Sequence, residues 1–318
     1  NAKTWCRRTV AMILLVIVGL VWSSGVRATP RTVVTIKPIH SLVAAVMAGI
    51  GQPRLLVTGA VSPHGHALKP SQARALAAAE LVVWVGPEME SFFIKPAGSL
   101  PTTTTVLTLI MEPEVIKLRA RRGGAWQGHE VDEDHQGASD EHAEGRHDID
   151  GHLWLDPENG RAIVALVADR LAALDPANAA TYRANAVRVT RELQALEQEI
   201  AGLLAALRHV PYVVFHDAYQ YFEARFRTNA VGSISISPDR PPSARRLLDI
   251  RRRIKASGAV CVFAEPQFEP RLVDTVREGT PARAATLDPL GAAIEAGPDA
   301  YAALLRDLAL ALASCLES

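Results

Sequence analysis

The sequence predicts an α/β protein of two lobes, each with a central, mostly parallel sheet flanked by helices, joined by one long rigid helix. Three observations carry this reading. The chain has 318 residues, more than one hydrophobic core usually serves, so two domains are expected. Two blocks of short β-rich apolar runs alternate with Ala- and Leu-rich helical stretches, the pattern of parallel strands joined by helices. Between the blocks lies a helical pattern long enough, at about 1.5 Å per residue, to cross much of a molecule of this size.

The first 28 residues read as a secretory signal peptide. Lys3, Arg7 and Arg8 precede an apolar run from Val10 to Trp22, which is followed by small residues and the cleavage-like Val26-Arg27-Ala28. The run is well short of the roughly 20 apolar residues that span a bilayer. No Cys follows the expected cleavage point, so no lipid anchor is expected, and the mature chain is expected in the periplasm. Taking Lys3, Arg7, Arg8 and Arg27 from the 34 basic residues leaves 30 against 34 acidic ones, a net charge near −4. That balance offers no basic surface for nucleic acid.

The N-terminal lobe is expected over 29–175, with strands at 33–36, 54–57, 81–85 and 106–110 and helices at 41–48 and 71–79. Ser71 after Pro70 suits a helix start. Residues 121–150 have almost no aliphatic side chains and cannot bury enough apolar surface to order themselves, so they read as a mobile insertion. A helix follows at 157–174. The linking helix is expected over 176–209, where Leu193, Leu196, Ile200, Leu203, Leu204 and Leu207 recur at helical spacing between Pro176 and Pro211. The C-terminal lobe, 210–318, repeats the alternation. Its strands are expected at 212–215, 233–236, 260–264 and 284–287, and its helices at 218–225, 243–256, 270–278 and 299–316. Cys6 leaves with the signal, and the remaining even pair, Cys261 and Cys315, is expected to bond in an exported protein.

Candidate chemistry sits where strands end. His216 follows the 212–215 strand directly, Asp288 follows the 284–287 strand, and His64 comes a few residues after the 54–57 strand. In open α/β sheets ligands bind beyond the carboxyl ends of strands, so these side chains from both lobes can converge on one cleft. His152 opens the apolar segment that re-enters the fold after the insertion. Three imidazoles and one carboxylate suit zinc in tetrahedral geometry. Taken singly, each histidine has a structural reading as well.

The long motifs sharpen this. Ser62-Pro63-His64, the run LVVWVGPEME at 81–90, GHLWLDP at 151–157, FHDAYQYF at 215–222, CVFAEPQF at 261–268 and TLDPLG at 286–291 resemble the zinc-binding ZnuA proteins of the cluster A-I solute-binding family. The likeness covers nearly all of the mature chain. It implies two lobes joined by a backbone helix, Zn2+ held in the cleft, and delivery to an ABC transporter permease with its ATPase. It places the ligand histidines on His64, His152 and His216, and the family's second-lobe disulfide on Cys261 and Cys315. The fourth ligand is Asp288 or a water, because Pro63 occupies the place where some zinc relatives carry a carboxylate. Manganese-type relatives have a carboxylate where this chain has His216, and an added imidazole favours zinc over manganese.

The insertion holds His129, His135, His142 and His147 among eight carboxylates, Glu130 to Asp148. It reads as a weak zinc collector or as a solvated spacer. His40 and His66 lie near the crevice as lining residues, with His66 a substitute for His64. His209 is expected to favour a helix end. Glu90 and Glu265 have a cleft-facing reading beside a structural one that is favoured, and Trp154 is expected to be core. A zinc hydrolase is the rival from another class, but no His-Glu-x-x-His motif is present. An adhesin-type role is a second rival. A monomeric transport protein without enzymatic activity is the reading that fits best.

Overall fold

The computed structural model describes residues 29–121, 124–126, 149–235 and 242–317. The expected signal peptide and the four histidines of the insertion lie outside them.

Two four-stranded sheets form, both wholly parallel. The first comprises β1 (Thr32–Val34), β2 (Arg54–Leu55), β3 (Leu81–Trp84) and β4 (Thr105–Thr108) in the order β2-β1-β3-β4. The second comprises β5 (Pro211–Val214), β6 (Asn229–Ser233), β7 (Cys261–Ala264) and β8 (Arg283–Thr286) in the order β6-β5-β7-β8. The same order recurs because each sheet grows to both sides of its first strand. The 54–57 run is strand only at its start, although Leu56 and Val57 still donate to Val34 and Thr35 and prolong the contact.

Helices cover both faces of each sheet, so neighbouring residues in one strand serve different cores. Val33, Val82 and Trp84 face outward to α2 (Pro70–Ala77) and α3 (Ser91–Ala97), whereas Val34, Leu81 and Val83 face inward. In the second lobe Val213, Val262 and Phe215 pack against α7 (Ala244–Ser257) and α8 (Arg271–Arg277). Parallel strands buried on both faces read as the near-continuous apolar runs seen here.

The inward faces share one core. Its helical layer comprises α1 (Lys37–Val46), α4 (Pro157–Leu174), α5 (Ala179–Leu203) and α9 (Ala300–Leu316). Leu42, Val167, Leu193 and Leu305 join side chains of both sheets in a single buried cluster. Short α6 (Gln220–Phe226) follows β5.

α4 spans the residues expected of it. Pro157 takes a first-turn position where no N–H is needed, and the Asp156 carboxylate accepts from the Glu158 N–H. The linking helix is broken where one rod was expected. A 3-10 turn at Pro176–Asn178 precedes α5, and another at Ala205–Leu207 follows it. Gly202 lies in the last turn, and the ladder tightens there as the Leu204 N–H reaches both Ile200 and Gly202. At about 1.5 Å per residue α5 still runs roughly 38 Å, laid against α4, α1 and α9.

Helix α3 has no counterpart in the sequence reading. It carries Pro96 near its end, and a Pro inside a helical run reads as a break in the pattern. It forms because Phe93 is fully buried edge-on to Trp84, with ring centroids 4.9 Å apart.

The disulfide expected from the cysteine count is present, tying Cys261 in β7 to Cys315 in α9 with a Cα–Cα distance of 6.3 Å. Among the described residues no helix is long and apolar enough to cross a membrane.

Candidate metal centre

His216 stands one residue past the end of β5, after Phe215, and Glu265 immediately beyond the neighbouring parallel strand β7. That adjacency lets the His216 Nδ1–H donate to Glu265 Oε1 at 2.7 Å, while the His216 amide reaches the same oxygen at 3.3 Å. His152 precedes the 3-10 turn Leu153–Leu155. Its amide and its Nδ1 both donate to Asp150 Oδ1, at 3.0 and 2.7 Å. Both imidazoles thus have Nδ1 engaged by a carboxylate, which fixes the tautomer and turns the Nε2 lone pair toward the cleft.

His64 lies in the connection between β2 and α2, after the buried Pro63. Its amide donates to Ser62 Oγ, and its carbonyl accepts from Ser91. Its Nε2 is buried with no hydrogen-bond partner, a costly state for a polar atom unless something else binds it.

The three rings converge. Centroids of His64 and His152 are 5.5 Å apart, of His64 and His216 6.3 Å, and of His152 and His216 5.1 Å. One ring nitrogen from each lies within 4.8 Å of the other two. The Nε2 atoms of His152 and His216 are 3.2 Å apart. With zinc–nitrogen bonds of about 2.0–2.1 Å, two tetrahedral ligands stand about 3.3 Å from each other, so this pair already has the spacing of one tetrahedral edge. The cavity lined by Pro63, the three histidines, Trp154 and Leu290 measures about 10 Å³, enough for one water or one ion.

The electrostatics follow from burial and the two carboxylates. Desolvation, then the charges on His152 and His216, hold His64 well below its ordinary range. Desolvation and then the His216 charge do the same to His152. Desolvation also pulls His216 down, but the charge and hydrogen bond of Glu265 outweigh it and leave this ring raised. Burial lifts Asp150 to about 7 against the pull of the His152 amide. Two neutral imidazoles therefore face one that readily takes a proton. The 3.2 Å contact between the two Nε2 atoms becomes a hydrogen bond only when one of them carries a proton.

Asp288, expected as a ligand, stands outside this cluster. Its carboxylate accepts from Gln267 Nε2 at 2.8 Å, from the Leu290 amide at 3.1 Å and from the Ala292 amide. Both oxygens take part in closing the turn after β8, so in this structure Asp288 braces that turn rather than joining the three rings. His40 is buried in α1 with Nε2 at 3.1 Å from the Pro53 carbonyl. His66 contacts Gln72 and the edge of Phe92, away from the triad. Glu90 does not face the triad: it accepts from the Thr35 hydroxyl and the Val85 and Gly86 amides, and burial raises it to about 7. Glu265 does face the site, through His216. Trp154 is core and donates to the Pro289 carbonyl.

Asp150 was missed because it ends the polar insertion and was read with it. The available signal was its place two residues before His152, where an Asp side chain can turn back on the chain. Arg121, at the other root of the insertion, pairs with Asp217 and Glu223 and lies 3.4 Å over the Trp126 ring. It anchors the residue after His216.

Residues 32–315 match the family model for the zinc-uptake complex component A, periplasmic, ZnuA. The chain belongs to this family. It is 44% identical to the high-affinity zinc uptake system protein ZnuA of Brucella suis, over 94% of this chain and 95% of that protein. Its identity to the protein of the same name from Yersinia pestis is 36%, over 91% and 92% of the two chains. Among solved structures, a mutant of the laminin-binding adhesin Lmb from Streptococcus agalactiae superposes with a TM-score of 0.74 at 23% identity, covering 90% of this chain and 99% of that one. At that identity the likeness is one of fold.

Proposed function

We infer that this chain captures Zn2+ in the periplasm and hands it to the membrane permease and ATPase of an ABC importer, without performing catalysis. The observation that carries the reading is the convergence of His64, His152 and His216 within 4.8 Å, two of them oriented by Asp150 and Glu265 through Nδ1. Nitrogen donors in this number favour zinc over manganese. A site with room for one water-sized species supports cargo binding rather than hydrolysis of an organic substrate. With Asp288 spent on its turn, water is the proposed fourth ligand. The family and the zinc-uptake relatives support the same role and a periplasmic location, while a cleaved signal over 1–28 is supported by its charged and apolar sequence pattern. We further propose that His129, His135, His142 and His147 collect zinc weakly near the cleft. Lobe boundaries at 175 and 210 and a monomeric state complete the reading.

The test is zinc binding by competition with a chromophoric chelator, together with anomalous scattering at the zinc edge from a metal-loaded crystal. Tight binding of one ion on the three histidines is expected. Unchanged affinity in His216→Ala would overturn the assignment.

A further inference from the structure

α1 carries Lys37 in its first turn, where the two lobes meet. The side chain is 9% exposed, and its ammonium donates to the carbonyls of Gly291, Ala292 and Ile294 at 2.5, 3.0 and 2.8 Å. An ammonium has three N–H donors, and all three are met by backbone of the other lobe, more than 250 residues away in sequence. Among the described residues Lys37 forms no ion pair within 4.0 Å. One turn further along α1, Ser41 donates to the Pro298 carbonyl at 3.0 Å and accepts from the Tyr301 amide at 2.8 Å.

The gripped segment continues the turn that Asp288 closes through the Leu290 and Ala292 amides. Pro289 and Leu290, in the same turn, line the metal cavity, and the Pro289 carbonyl accepts from the Trp154 indole beside His152. The carbonyls of Gly291, Ala292 and Ile294 thus point at the lysine, while Pro289 and Leu290 of the same turn form a wall of the site.

We propose that Lys37 is a positioning residue for metal capture: seated on three carbonyls of the opposite lobe, it clamps the 288–294 turn as a wall of the histidine site and sets how fast the bound ion leaves. This rests on the zinc-binding reading, and its test separates the two. Amine acylation of the unsubstituted, metal-free protein, read lysine by lysine by mass spectrometry, tests the clamp without zinc. Lys69 and Lys95 are exposed, and Lys37 is expected to react at least tenfold more slowly; equal rates overturn the clamp.

In the second arm zinc-loaded protein is mixed with excess chelator. Lys37→Met is expected to release zinc about tenfold faster with its association rate unchanged, and Lys37→Arg, which keeps the charge and several donors, to recover most of the slow release. Should Lys37→Met not fold, Lys37→Gln takes its place. Release at the unsubstituted rate in the neutral variant overturns the proposal, as does equal slowing of association and unchanged release. Failure of the unsubstituted protein to bind zinc overturns the zinc reading instead, and the acylation result still judges the clamp.

Discussion

His216 and Glu265 stand at the ends of adjacent parallel strands, 49 residues apart in sequence, and share a 2.7 Å hydrogen bond between Nδ1 and Oε1. The carboxylate fixes which nitrogen is free, and its charge makes that nitrogen more basic, hence a better donor to a cation. Glu265→Gln keeps an acceptor but removes the charge. Zinc affinity is expected to fall about 10- to 100-fold, with the fold intact by circular dichroism. Chelator competition measures it, and unchanged affinity would show that the pair is only structural.

Acidification should weaken binding from above the ordinary histidine range. His64 and His152 are held well below the usual value of 6.5, so they stay neutral, whereas His216 is raised above it. Zinc must displace the His216 proton first, and affinity is expected to drop about tenfold per pH unit below that raised value. For the metal-free fold the signs differ between groups. The raised His216 stabilises fully below 6.5 and loses that contribution as pH rises through its folded value. The lowered His64 and His152 contribute above 6.5 and lose it as pH falls, because the unfolded chain then binds the protons they refuse. Isothermal titration from about pH 8 to about pH 5 checks the first expectation, and constant affinity there contradicts it.

Asp288 separates a ligand from a brace. Because both its oxygens close the 288–292 turn, Asp288→Ala is expected to cost about 1–3 kcal/mol of stability through amides left unpaired. The zinc X-ray absorption spectrum should keep three nitrogen neighbours and one oxygen from water. Loss of an oxygen shell in the variant would return Asp288 to the ligand set.

The Cys261–Cys315 bond lies in the second sheet and α9, remote in sequence from every ligand histidine. Replacing both cysteines by alanine is expected to lower unfolding free energy by about 2–5 kcal/mol, measured by denaturant titration at a temperature where the variant folds. Zinc stoichiometry should remain one per chain. A variant as stable as the parent would mean that the crosslink constrains nothing.

Much of this was legible because it is local. Strand and helix periodicities placed all helices but α3, whose Pro96 interrupts the helical pattern, and all strands but β6, which runs over Asn229–Ser233 where a strand at 233–236 was expected. His216 and His64 were legible as polar residues beyond strands, where sheets of this kind present ligands. Asp288 occupies the same kind of place but stands apart from the three rings, because position beyond a strand says nothing about which groups compete for a carboxylate. Two backbone amides and Gln267 won that competition.

By itself the sequence determined most of the order of the elements and the cysteine pairing, and it nominated the three imidazoles, since periodicity, residue count and motif order are properties of a chain read along its length. Only the tertiary structure decided that Asp150 and Glu265 hold the rings, that Asp288 braces a turn, and that Lys37 reaches Gly291 across 254 residues. Hydrogen bonds depend on a few tenths of an ångström between atoms. Packing of the shared core, which no local pattern encodes, sets those separations.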